Sequence, residues 1–179
     1  ACFAGRAAGD ERSERGQRLF AAGDGRRHVV ENARDLLGRE LGASNQYVNI
    51  AAYFDAESLP QLAAFFYRQA DEERTHAMKF VHYIADAGGQ VAVPAVAAPK
   101  ADIGSPESAV KLSLEWEMEV TRQINSLMDM AIKESDHIAQ DFLRWFVTEQ
   151  LEEVSTMDEL LSVIRRAGPN GLLFVEDYL

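Results

Sequence analysis

Apolar side chains recur every three or four positions along four long stretches of the chain, about residues 28–54, 60–87, 106–133 and 136–166. This spacing predicts four amphipathic α-helices, because residues three and four apart share one face of a helix. Pro60 and Pro106 suit the first position of a helix, and Ser105 has the side chain of an N-cap. Gly88 and Gly168 follow the expected ends of the second and fourth helices.

The stretch between the second and third helices has a different character. Residues 90–104 contain Pro94 and Pro99, which interrupt any helix and favour an extended strap lying on the protein. A strap of about 15 residues can reach about 50 Å, whereas a helix of about 28 residues is about 42 Å long. The other two connections between long helices are short, so each of those pairs is antiparallel. We therefore predict an all-α four-helix bundle with one long crossover, followed by a short fifth helix at 172–179.

The first 27 residues differ in composition from the rest of the chain. Residues 1–27 are rich in Ala, Gly and Arg and show no sustained helical period. Their apolar runs are too short for a secretory signal, and their acidic residues argue against a transit peptide. We expect residues 1–27 to be a mobile N-terminal extension and residues 28–179 to form one domain.

The net charge of the chain limits the classes of partner that it is expected to bind. The 179 residues carry a net charge of −11 and contain no apolar run of the roughly 20 residues that span a bilayer. Residues 40–179 hold 10 basic and 23 acidic side chains, a net charge of −13. Nucleic acids and membranes are therefore not expected partners, whereas cations are. The single cysteine, Cys2, favours a reducing, intracellular setting.

Each of the four inward-facing stripes is interrupted near its middle by a side chain that binds metals. These side chains are Glu40 on the first helix, Glu73 and His76 on the second, Glu117 on the third, and Gln150 and Glu153 on the fourth. Burying several carboxylates together costs several kcal/mol each unless a cation compensates them. Oxygen-rich ligation with one imidazole suits iron or manganese better than a structural zinc. Glu73 and His76, three residues apart, can reach one metal, and Glu73 can bridge to a second.

Four stretches around these residues resemble the motifs of bacterial non-haem ferritins. They are residues 40–47, 70–77, 116–121 and 142–150, and the similarity covers about residues 30–179. The resemblance implies a ferritin-like fold and a cytoplasmic homo-oligomeric cage of 24 subunits. It also implies ferroxidase activity, in which oxygen or peroxide oxidises Fe(II) at a di-iron centre before ferric mineral is stored inside the cage.

The resemblance also assigns the ligands of the two iron ions. Glu40, Glu73 and His76 would hold the first iron. Glu73, Glu117 and Glu153 would hold the second, so Glu73 is shared between the two ions.

Further residues are assigned around this pair. Gln150 would lie beside the centre, among its catalytic and metal-binding residues. Tyr47 would be a hydrogen-bond partner, an electron donor or simply a core tyrosine. Glu72, Glu149 and Glu152 match the positions of a third iron site, although a solvated helix face is an alternative.

Differences between this sequence and the motifs of related families argue against some cofactors and functions. Bacterioferritins have a haem-binding methionine where this chain has Arg74, so haem is not expected. A rubrerythrin-like or other di-metal oxidase or peroxidase is an alternative, but such enzymes usually repeat the Glu-x-x-His motif, and residues 149–153 contain no histidine. A metal-free helical interaction protein is a second alternative. Glu134, Asp136 and Asp141 either line a pore for iron or form a solvated face.

Overall fold

The computed structural model describes residues 24–179, and the regular elements of this part are all α-helices. They are α1 (Asp24–Ala56), α2 (Pro60–Asp86), α3 (Pro106–Lys133), α4 (His137–Ala167) and α5 (Leu172–Tyr178). The predicted four-helix bundle with a long crossover and a short fifth helix is confirmed. None of the helices within residues 24–179 has the length and apolar character needed to cross a membrane.

The helix boundaries agree with the sequence pattern except at the first helix. α1 begins at Asp24, before the expected start at His28. Residues 1–23 lie outside the described residues, so the expectation of a mobile extension and the division of the chain after residue 27 stay predictions.

Side chains cap the N-termini of α3 and α4. Ser105 accepts a hydrogen bond from the Ser108 backbone N–H at the start of α3, as the sequence predicts. Asp136 accepts one from the Ala139 N–H at the start of α4, at 3.1 Å. Each cap satisfies a backbone donor that has no partner within its own helix.

Asp136 is therefore a structural residue. Its side chain is buried and serves as the cap of α4. Glu134 and Asp141, the other two residues considered for a pore, are exposed. The three carboxylates consequently do not present one acidic surface.

The strap between α2 and α3 is held on the bundle at several points. Gln46 of α1, which is buried, accepts a hydrogen bond from the Lys100 N–H at 2.7 Å and donates one to the Lys100 carbonyl at 3.2 Å. Further along, a Cβ on Gly38 would lie 2.7 Å from Cγ of Pro94. A larger residue at this position would push the strap away, so the glycine permits its close approach to α1.

The long helices pack in a defined order: α1 on α2, α3 on α4, and α1 on α3. Their inward stripes form two apolar clusters. The first includes Ile50, Phe54, Phe66, Val110, Met157 and Leu160. The second includes Leu37, Phe80, Ile84, Ile124, Leu143 and Phe146. Between the two clusters lies the layer of polar residues that the sequence predicted, because each stripe passes from one cluster to the other through its metal-ligand position.

The short helix α5 is fixed to the beginning of α2. Glu176 accepts hydrogen bonds from the backbone N–H groups of Gln61, at 2.8 Å, and Leu62, at 2.9 Å. The N-cap residue of α2, Leu59, has no side chain that could accept these bonds. A residue more than a hundred positions away in the sequence thus caps α2.

Replacing Glu176 by Ala should loosen the start of α2 and the docking of α5. The loss of a cap costs about 1 kcal/mol, so backbone amides of the first turn of α2 should open more often. Hydrogen exchange at Gln61 and Leu62 measures this opening directly. Asp177→Ala, an exposed acidic neighbour on the same helix, is the matched control and should leave both amides protected. Equal exchange in the two variants would show that Glu176 is not a cap.

Candidate metal centre

All four long helices contribute side chains to one buried layer in the middle of the bundle. Its members are Glu40 from α1, Glu73 and His76 from α2, Glu117 from α3, and Gln150 and Glu153 from α4. Each of these six residues is at most 5% exposed. The six residues that interrupt the stripes are therefore buried as predicted.

Glu40, Glu73 and His76 form the tightest part of the layer. Each offers a ligand atom that lies within 4.8 Å of those of the other two. Nδ1 of His76 lies 3.6 Å from Oε2 of Glu73 and 3.9 Å from Oε2 of Glu40. When both groups are ionised, the four carboxylate oxygens of Glu40 and Glu73 have no hydrogen-bond donor among the described residues. A proton on Glu40 would instead bond the two carboxyl groups to each other. Buried polar atoms without partners are costly, and a cation among them would supply the missing interaction.

Glu117 has a different environment. Its Oε1 accepts a hydrogen bond from the Tyr47 hydroxyl, and its Oε2 lies 3.4 Å from Nε2 of Gln150, which donates to it. Tyr47 is also fully buried and packs edge-on against Phe66, with ring centroids 5.7 Å apart. Of the roles considered for Tyr47, the structure provides both a core side chain and a hydrogen-bond partner of the centre.

Glu149 and Glu153 extend the centre along α4. One ligand atom from each lies within 4.8 Å of a nitrogen of His76 and of each other. Oε1 of Glu149 is 3.6 Å from Nε2 of His76, on the side of the ring opposite Nδ1. Glu149 is partly buried and Glu153 is buried.

The three residues expected at a third iron site are placed differently from one another. Glu149 faces His76, whereas Glu72 and Glu152 are exposed. Within the described part of the chain, neither exposed residue joins a cluster of ligand atoms at metal-binding distance. Glu72 instead accepts a hydrogen bond from Gln69. The structure does not bring this trio together as one cluster, and a third iron site stays a prediction.

Burial and mutual repulsion raise the pKa of the clustered carboxyl groups. Desolvation is the largest cause of the raised pKa of Glu40, followed by the charge of Glu73. The same two causes raise the pKa of Glu117 to about 8, although hydrogen bonds from Tyr47 and Gln150 oppose the shift. Desolvation and the neighbouring carboxylates raise the pKa of Glu153 to about 9. The layer holds protons that a bound cation would displace.

Aromatic rings enclose the histidine side of the centre. The His76 ring contacts Trp145 edge-on, with centroids 5.2 Å apart, and lies 6.2 Å from the ring of Phe146. Phe146 in turn stacks on Phe80 at 4.3 Å. These contacts hold the plane of the imidazole, and Nδ1 faces the glutamates of α1 and α2.

Comparison with known proteins agrees with this geometry. The model of the ferritin-like domain family matches residues 31–167, a span that contains every residue of the buried layer. The chain belongs to the ferritin family. The predicted resemblance is thus confirmed, and the family supports iron storage as the role of this ferritin.

Individual relatives show the same extent of similarity. The ferritin is 42% identical over 146 residues to ferritin BfrB of Mycolicibacterium smegmatis, covering 82% of this chain and 80% of that protein. It is 38% identical over 145 residues to a bacterial non-heme ferritin of Staphylococcus aureus, covering 81% and 87%. An open-pore ferritin of the archaeon Archaeoglobus fulgidus has a TM-score of 0.81 at 31% identity, covering 84% of this chain and 93% of that chain.

One residue beside the centre was not predicted from the sequence. Thr121 of α3 has its hydroxyl oxygen 2.8 Å from Oε1 of Gln150. The available signal was its position one helical turn after Glu117, where a polar side chain follows a metal-ligand position on the same face.

The raised pKa values predict that the metal-free ferritin loses stability as the pH rises. Glu117 and Glu153 have folded-state pKa values of about 8 and about 9, above the unfolded value of about 4.3. The folded state therefore holds more protons within this window. The free energy of unfolding should fall with pH there, by up to about 1.4 kcal/mol per pH unit for each such group. Urea unfolding of the metal-free protein at about pH 5.5, 7 and 8.5 measures the slope.

Two comparisons separate this effect from a general pH dependence. Glu117→Gln combined with Glu153→Gln should make the slope shallower, because the two amides do not titrate, although Glu40 still does. Excess Zn²⁺ should raise the stability of the wild-type protein most at the higher pH values, because the metal competes with protons for the same oxygens. Stability of the metal-free wild type that increases across the window would contradict the assignment of buried, protonated carboxyl groups.

Proposed function

We propose that this ferritin oxidises Fe(II) at the buried layer and stores the ferric product inside a cage of 24 copies. The observation that carries the proposal is the convergence of Glu40, Glu73 and His76 in an apolar bundle, with carboxylate oxygens that, when ionised, have no hydrogen-bond donor among the described residues. Such a cluster is stable only when protons or cations neutralise it. Membership of the ferritin family supports iron as the cation.

In this proposal the layer receives two iron ions as substrates. Glu40, Glu73 and His76 would bind the first, through carboxylate oxygens and Nδ1. Glu73, Glu117 and Glu153 would bind the second. Glu73 would contribute an oxygen to each ion, which would keep the two ions close enough to react with one oxidant.

The oxidation balances with two electrons. Each Fe(II) gives one electron, and dioxygen with two protons becomes hydrogen peroxide; alternatively, hydrogen peroxide with two protons becomes two molecules of water. The carboxylate ligands favour this step because hard, anionic oxygen donors bind Fe(III) more strongly than Fe(II). A single imidazole among the ligands leaves positions for the oxidant.

Charge and assembly fit the storage role. Residues 40–179 hold 10 basic and 23 acidic side chains, so the field of the bundle attracts Fe(II). Subunits of 19.9 kDa assembled as 24 copies would give a particle of about half a megadalton, which gel filtration resolves from a dimer. A cytoplasmic location and the lack of haem complete the proposal, the latter because Arg74 stands beside Glu73.

Replacing Glu73 and His76 together by Ala should abolish fast aerobic Fe(II) oxidation while the helices remain. We expect the initial rate to fall by at least about 100-fold, because two ligands of the first iron and one of the second are lost. Stopped-flow absorbance of Fe(III) measures the rate, and circular dichroism checks the fold. Glu115→Ala, which removes an exposed carboxylate on α3, is the control and should keep the wild-type rate. An unchanged rate in the double variant would refute the di-iron centre.

Glu149 and Glu152 should differ in their effect on this rate. Glu149→Gln should slow the fast phase by up to about 10-fold, because Glu149 contacts Nε2 of His76. Glu152→Gln should leave the fast phase intact, because Glu152 is exposed. The same stopped-flow assay compares the two. Equal and large losses in both variants would show that Glu152 also belongs to the primary centre.

A further inference from the structure

The orientation of the Gln150 side chain decides whether its amide nitrogen or its amide oxygen faces Glu117. The oxygen and nitrogen of an amide have nearly the same size, so hydrogen-bond partners determine which of them faces the centre. Gln150 is 2% exposed, so these partners come from the protein. Nε2 donates to Oε2 of Glu117, and Oε1 is 2.8 Å from the hydroxyl oxygen of Thr121.

The Thr121 hydroxyl has two acceptors within reach. Its oxygen lies 2.8 Å from Oε1 of Gln150 and 2.8 Å from the backbone carbonyl oxygen of Glu117, one turn earlier in α3. The carbonyl of Glu117 already accepts the backbone bond of its own helix. The amide oxygen of Gln150 is buried and gains its hydrogen bond from Thr121, so donation to Gln150 satisfies the group with more to lose.

The opposite orientation of the amide is unfavourable once Glu117 binds a cation. A ligating carboxylate is deprotonated, and an amide oxygen placed 3.4 Å from Oε2 would then face another acceptor. The Gln150 NH₂ group would lose its acceptor on Glu117 at the same time. The Thr121 hydroxyl favours the orientation in which the NH₂ group supports the carboxylate.

We propose that Thr121 is a positioning residue for the second iron: its hydroxyl holds the Gln150 amide so that the amide nitrogen orients Glu117. This inference rests on the proposed function, since it concerns the same centre. Thr121 acts through Gln150: its hydroxyl lies within hydrogen-bond distance of Gln150 and of the Glu117 carbonyl, and neither residue is assigned to the first iron.

The two halves of the centre should therefore respond differently when the hydroxyl is removed. Glu117 receives one donor on each oxygen, from Tyr47 and from Gln150. Glu40 and Glu73 receive no such donors from the described residues. Losing the Thr121 hydroxyl should weaken binding of the second metal by about 10-fold, the lower end of the usual effect of such supporting residues, and leave the first site unchanged.

Anaerobic titration of the full-length protein with Co²⁺ tests this expectation. Isothermal calorimetry gives the two affinities, and the visible absorption of Co²⁺ reports the geometry of each site. Thr121→Val keeps the side-chain shape without the hydroxyl and should weaken the second binding step, whereas Thr121→Ser should restore it. Thr148→Val is the matched control, because the Thr148 hydroxyl donates to the backbone carbonyl of Arg144 at an exposed position of α4.

A double-mutant cycle with Gln150→Leu separates positioning from a general loss of packing. If Thr121 acts through Gln150, adding Thr121→Val to Gln150→Leu should change the second affinity no further. Full additivity of the two effects would overturn the inference. Two unaltered binding steps in Thr121→Val would also overturn it while leaving the proposed function standing. Absence of a second binding step in the wild type would refute the two-metal centre itself, and the inference with it.

Discussion

The burial of several carboxyl groups in one apolar bundle is the constraint on which the structure of this ferritin depends. Glu40, Glu73, Glu117 and Glu153 lie in one layer. Desolvation is the largest cause of the raised pKa values of Glu40, Glu117 and Glu153. Such a layer is unfavourable as a set of anions, because burial removes the water that stabilises charge. Protons or metal cations must neutralise it, so folding and cation binding are coupled.

The bundle maintains this unfavourable layer by enclosing it between two apolar clusters. Ile50, Phe54 and Phe66 lie on one side, and Leu37, Phe80 and Phe146 lie on the other. The burial of these side chains provides the favourable free energy that offsets the cost of the polar layer. The strap covers α1. Hydrogen bonds with Gln46 and the close approach of Pro94 to Gly38 hold the strap on this helix.

Within the layer, the two sides of the centre have different degrees of preorganisation. On the side of α1 and α2, the carboxylate oxygens lack hydrogen-bond donors from the described residues, so their ligand positions depend on the cation. On the side of α3 and α4, Tyr47 and Gln150 hold Glu117 in one orientation. Under the proposed function, this asymmetry would give two metal ions chemically distinct positions in one buried layer, where both ions must react with a single oxidant.

The helices and the members of the centre were predictable from the sequence alone. Helical periodicity is a local property, and a polar residue on an inward stripe is visible in the sequence because it interrupts that stripe. For this reason the sequence alone predicts that Glu40, Glu117 and the pair formed by Glu73 and His76 are inward-facing polar residues. The long crossover followed from two prolines and the length of residues 90–104.

The tertiary structure decided the contacts between residues far apart in the chain. Glu176 caps α2, Thr121 reaches Gln150, and Glu149 faces His76 while Glu152 stays exposed. Each contact depends on the rotation of one helix against another and on a side-chain rotamer. A rotation that moves a side chain by a few ångströms leaves the sequence pattern unchanged, yet it makes or breaks a hydrogen bond, because hydrogen bonds require close and directed approach.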